Sequence, residues 1–118
     1  NAENESGDMH FTILALKITE DVDAIIEKEL KIRLDKDSFQ YSRFAMHLRY
    51  LMQRLINGKQ VDDQGVSLLG QMRREYPQIY VCARAVVNYF AETWKWQCND
   101  EELLYLMLHI YRVQQKGE

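Results

Sequence analysis

Residues 37–58, DSFQYSRFAMHLRYLMQRLING, decide the fold class. Tyr41, Phe44, Ala45, Leu48, Leu51, Met52 and Leu55 recur at the three- and four-residue steps that bring side chains onto one face of an α-helix. A strand would alternate every second residue, and this stretch does not. Asp37 with Gln40 three positions on reads as a capping box at the helix start. Gly58 reads as the residue just past the end, where left-handed backbone carries no steric cost for glycine.

The same period extends outward in both directions. On the N-terminal side a helix is expected after Thr19, a good N-cap, with Glu20 and Asp21 at the positive end of the dipole. Val22, Ile25, Ile26 and Leu30, with Ile32 beyond them, supply its buried side. The preceding apolar run MHFTILALKI is ambiguous and either extends this helix or runs separately. Residues 1–18 are therefore read as linker with a possible start of the first helix, NAENESGD as an expression scar plus linker, and the chain as a piece of a longer protein. On the C-terminal side a third helix starts near Asp62 or Asp63 and carries Val66, Leu69 and Met72 inward. Pro77 opens a fourth helix running to about Trp96, since proline is tolerated in a first turn and not deeper. Asn99 and Glu102 form another capping box, and the fifth helix runs to about Gln115. With one proline and five glycines there is little to break helices, so the expectation is an all-α compact bundle of about five helices.

Composition narrows the function classes. A chain of 118 residues makes one domain and buries a sizeable core without staples. The net charge of −3 comes from acids and bases mixed along the chain, which leaves no basic stripe for nucleic acid. No membrane span or signal-like start is read, and the expected location is the cytoplasm. Cys82 and Cys98 lack metal-type spacing and read as free thiols, Cys82 as a small buried apolar residue. There is no nucleophile elbow, phosphate loop or glycine fingerprint, so no enzymatic activity and no cofactor are expected. A zinc site from His47, His109 and Glu102 has no short-spaced ligand motif behind it, and no metal is expected. His10 reads as an exposed bystander, and Trp94 and Trp96 with Tyr89 and Phe90 as core or interface residues.

Two histidines stand out, His47 in FAMHLRYLMQRL and His109 in EELLYLMLHIYR. Each has a charged residue two helical turns away on its own stripe, Arg54 after the first and Glu102 before the second. On a helical wheel His47 falls about 100° from Leu48, the centre of the apolar stripe, with Arg54 and Arg43 about 20° and 40° further round. His109 sits in a narrow polar gap with Glu102, Tyr105 and Arg112. A border histidine taken alone is more often structural than functional. Two with matched companions invite a chemical reading: a neutral imidazole offers a lone pair to phosphorus, while its N–H needs a partner such as Glu102 to fix the tautomer. Arg54, Arg43 or Arg112 can then bind the new phosphoryl oxygens.

These residues carry a family resemblance. FxxHLRYLMQRL, the later YP and NDEELLYLMLHIYR resemble the phosphotransferase-system regulation domain of BglG/LicT-type transcriptional antiterminators, from about Thr19 to Gln114. The resemblance implies a compact five-helix bundle that dimerises. It also implies phosphate acceptance from the phosphocarrier HPr or a sugar-specific enzyme IIB, with His47 and His109 as acceptors and Arg54 and Glu102 in the charged positions beside them. Met46 stands where first copies of the domain often have Asp, and HLRYLMQRL looks more like a second copy. RNA binding is expected of a separate module of the parent protein. The rival reading is a plain helical dimerisation or partner-binding domain with structural histidines.

Overall fold

In the computed structural model, residues 2–59 and 67–115 are described. Among them run α1 (Ala2–Leu30), α2 (Phe39–Ile56), α3 (Ser67–Glu75), α4 (Pro77–Tyr89), a π-turn (Phe90–Trp94) and α5 (Asp100–Gln114). The expected all-α bundle is observed. In space α4 sits between α1 and α5, α2 packs on α5, and α3 lies against α4.

α1 is longer than expected. Thr19 lies inside the helix and caps nothing, because the apolar period continues upstream: Ala15 and Ile18 join Val22 and Ile26 in the core. His10 is exposed on this helix, not in a linker. At its other end Lys31 adopts φ 55°, and the Ile32 amide reaches back to the Glu27 carbonyl at 3.2 Å. That is a Schellman closure made without glycine. α2 ends the same way, now with Gly58 at φ 68° and the Lys59 amide on the Arg54 carbonyl at 2.8 Å.

The start of α2 corrects the capping assignment by one residue. Ser38, not Asp37, is the N-cap: its Oγ accepts from the Tyr41 amide at 3.0 Å and donates to the Asp35 carbonyl at 2.7 Å. The Asp37 amide instead donates to the Asp35 carboxylate at 3.1 Å, which sets the preceding turn. Ser38→Ala is expected to cost about 1 kcal/mol, read by urea unfolding, whereas Asp37→Ala should cost a few tenths at most. Equal losses from the two would return the cap to Asp37.

The expected start of α3 at Asp62 or Asp63, and Val66 with it, lies outside the described residues; Leu69 and Met72 do pack on the core. The fourth helix stops as an α-helix at Tyr89, short of Trp96. The five-residue π-turn widens the backbone there and ends at Lys95, φ 61°, where the Trp96 amide closes onto the Phe90 carbonyl at 3.1 Å. This places Phe90 fully inside and stacks Trp94 on Trp96 with ring centroids 5.8 Å apart. Trp94 Nε1 donates to the Tyr89 hydroxyl at 2.9 Å, and that hydroxyl donates to Asp21 at 2.5 Å. The aromatic cluster thus ties the end of α4 to α1. Two residues further along α1 the buried Asp23 accepts from Tyr41 Oη at 2.6 Å, linking α1 to α2. Asn99 caps α5 as expected, accepting from the Glu102 amide at 2.9 Å.

Candidate functional site

The packing of α2 against α5 builds the site. Helix periodicity puts His47 and Arg54 on one stripe of α2, and Glu102, Tyr105 and His109 on one stripe of α5. These stripes face each other. The two imidazoles stack with centroids 3.9 Å apart and planes 17° from parallel. Two turns along, Arg54 Nε donates to Glu102 Oε2 at 2.9 Å and Nη2 donates to Oε1 at 2.8 Å, a bidentate pair. Between these two layers lies Tyr105. Its ring carries the Arg54 guanidinium over one face at 4.6 Å and meets His109 edge-on at 4.4 Å. Its hydroxyl donates to the His47 carbonyl at 2.9 Å and stands 3.2 Å from His47 Nδ1.

The polar gap of α5 is therefore an inward face. Glu102 is fully buried and His109 is 7% exposed, whereas Leu108 is exposed. Arg54 and Glu102, each expected to serve the histidine on its own helix, instead serve each other across the interface. Glu102 turns inward as the tautomer argument needed, but both of its oxygens go to Arg54. The group beside His47 Nδ1 is Tyr105, at 3.2 Å. Its sequence signal is visible in retrospect: it stands three residues after Glu102 and four before His109, in the same gap.

Electrostatics keep both rings neutral. Burial pushes His109 down to about 4, helped by His47, Arg112, Arg43 and Arg54. Desolvation and the charges of Arg43 and Arg112 lower His47 as well, though it is only half-buried. A cavity of about 190 Å³ opens beside His109 and is lined by Gln40, Arg43, Phe44, His109, Arg112 and Gln115. Arg43 and Arg112 are exposed there, and no ion pair is recorded for either among the described residues. Cys98, near the Glu102 end of the interface, is a free thiol, and burial raises it to about 12, so it stays protonated.

Comparison with known proteins places this geometry. The PRD domain family matches residues 20–113, which takes in α2, α5 and both histidines. The chain belongs to the PRD domain family. This PRD domain is 33% identical over 97 residues to the transcription antiterminator LicT of Bacillus subtilis strain 168, covering 82% of the chain and 35% of that protein. It is 33% identical over 96 residues to the GlcA/glcB genes antiterminator of Staphylococcus carnosus strain TM300, covering 80% of the chain and 32% of that protein. Against the beta-glucoside operon antiterminator of Dickeya chrysanthemi the identity is 27% over 97 residues, covering 82% and 34%. The PRD domain thus spans about a third of the length of these relatives. All three are named as antiterminators. Among the described residues no helix is long and apolar enough to cross a membrane.

Proposed function

We propose that this PRD domain is a regulatory phosphoacceptor of a sugar-responsive transcriptional antiterminator, a second copy of the domain, modified at His47 and His109 by HPr or a sugar-specific enzyme IIB. The supporting observation is the stack of two neutral imidazoles beside a cavity flanked by Arg43 and Arg112. A neutral ring has the lone pair that attack on phosphorus requires. The phosphoryl group brings about two negative charges to a place that holds two arginines without a carboxylate partner among the described residues. Charge-assisted hydrogen bonds from Arg43 and Arg112 then hold it. Arg54 and Glu102 act one step back, fixing how α2 sits on α5. Because α2 and α5 share the site, new charge there bears directly on their packing, and through it on dimerisation and on the activity of the parent protein. This is a switch without turnover. RNA binding belongs to another part of such a parent.

The burial of His109 favours a second reading, a helical interaction domain whose histidines are structural. One experiment separates the two. The protein is incubated with phosphoenolpyruvate, enzyme I and HPr, with enzyme IIB in a parallel arm, and examined by intact mass and by sedimentation. The expected result is a phosphoryl adduct lost in the His47→Ala, His109→Ala double variant, with a shifted monomer–dimer balance in the modified protein. Absence of adduct where a control domain is modified overturns the acceptor reading. An adduct with unchanged sedimentation overturns the dimer switch alone.

A further inference from the structure

The Tyr105 hydroxyl touches one residue twice. It lies 2.9 Å from the main-chain carbonyl of His47 and 3.2 Å from Nδ1 of the same side chain. A phenol has one proton to give, and a carbonyl can only accept. With the proton on the carbonyl, the contact to Nδ1 is a hydrogen bond only if Nδ1 is the donor. The phenol oxygen then accepts from Nδ1–H and the lone pair of the ring sits on Nε2. We propose that Tyr105 is a positioning residue that fixes His47 as the Nδ1–H tautomer and so makes Nε2 the nitrogen that accepts phosphate; the second half rests on the acceptor reading above.

The surroundings hold Tyr105 to this task. The Arg54 guanidinium lies over its ring at 4.6 Å, and Arg54 is itself locked by two bonds to the buried Glu102. The His109 ring closes the other side at 4.4 Å. Burial raises the phenol above its ordinary pKa, so its proton is present at neutral pH. Histidine free in water prefers the opposite, Nε2–H form, so this protein inverts the resting preference. The Arg54–Glu102 pair thereby gains a role: it orients Tyr105, and Tyr105 orients the ring.

With phosphoramidate, a small donor that needs no protein partner, the step balances simply. The Nε2 lone pair forms the new N–P bond as the donor's own P–N bond breaks. Phosphoramidate reacts as its zwitterion, whose nitrogen already carries three hydrogens, so the departing electron pair leaves on that nitrogen as neutral ammonia. Nδ1 keeps its proton throughout, and the ring becomes a phosphorylated imidazolium whose positive charge is stabilised by the Tyr105 oxygen accepting from Nδ1–H.

The test reads the tautomer directly. In ¹⁵N-labelled protein above the ordinary histidine pKa, long-range ¹H–¹⁵N spectra report each ring nitrogen, with His47 assigned by its loss in His47→Gln. The expected spectrum has a protonated Nδ1 and an unprotonated Nε2. Tyr105→Phe should move the tautomer ratio toward Nε2–H by about fivefold, the equivalent of one ordinary hydrogen bond. A wild-type His47 already in the Nε2–H form overturns the proposal, whether or not the variant folds. So does a folded Tyr105→Phe protein with an unchanged ratio. After phosphoramidate treatment, ³¹P–¹⁵N coupling should place phosphorus on Nε2 of His47, and an Nδ1 adduct overturns the regiochemistry. No adduct at all overturns the regiochemical half and leaves the tautomer assignment standing, which separates this failure from failure with HPr.

Discussion

Arg54→Ala is expected to destabilise the domain by about 3 kcal/mol or more, the largest effect of any single substitution at the site. Glu102 is fully buried, and Arg54 supplies a donor to each of its oxygens at 2.9 and 2.8 Å. Removing the guanidinium leaves a carboxyl group in the core without the two donors that Arg54 supplies. The Arg54 side chain is 25% exposed, which places the loss at the lower end of the range for breaking a buried pair. Glu102→Ala should cost less, because the arginine head can turn toward solvent. Joint replacement, Arg54→Leu with Glu102→Leu, should recover most of the loss, since no charge is then left buried. Urea unfolding of the four proteins at neutral pH decides the matter. If Arg54→Ala unfolds within 1 kcal/mol of wild type, the pair carries no structural weight and cannot be what holds Tyr105.

That pair also marks where the sequence can be read and where it cannot. α2 was legible because apolar period, helix stop and glycine closure all agree, and Leu48, Leu51 and Met52 are buried as that pattern requires. Cap placement failed by one residue because Asp35, Asp37 and Ser38 are all competent side-chain acceptors, and three-dimensional turn geometry chooses among them. Thr19 misled for a related reason. A residue that caps well also rides inside a helix when the apolar period on both sides continues. In α5 the rule that polar residues face water failed outright: Glu102 and His109 are inside and Leu108 is outside. A wheel for one helix cannot see that a polar stripe has a complementary polar stripe across the interface. Spacing put His47 with Arg54 and Glu102 with His109; only the packing of α2 on α5 pairs like layers with like.

The two layers of the interface answer different physical demands. The Arg54–Glu102 layer is ionised and needs both members. The histidine layer carries no formal charge, with His109 buried and His47 half-buried, and on the proposed acceptor reading that is what lets charge be added there. Arg43 and Arg112 stand at its open edge and not within it, so they lower the proton affinity of both rings while remaining available to an incoming anion. An acidic neighbour in the same position would have stabilised imidazolium and removed the lone pair.

Acid should therefore unfold this domain earlier than its carboxylates alone dictate. In the unfolded chain His109 takes a proton as pH falls through about 6.5; in the folded protein burial and the neighbouring cations hold it off until about 4. Between those values the unfolded state binds more protons, so stability falls as pH falls, by at most about 1.4 kcal/mol per pH unit. Across the window the loss reaches about 3 kcal/mol, with His47 adding to it in the same direction. Above the upper limit this contribution to stability is fully present. Urea midpoints measured from neutral pH down to the lower limit should fall steeply in wild type, and His109→Gln, which cannot take the proton, should flatten most of that fall. Parallel slopes in the two proteins would mean that His109 titrates normally and is not held neutral by the fold. On the proposed acceptor reading the functional counterpart runs the other way over the same window: because the folded ring stays unprotonated, modification of His109 by phosphoramidate should keep its rate well below the pH at which free histidine loses its nucleophile.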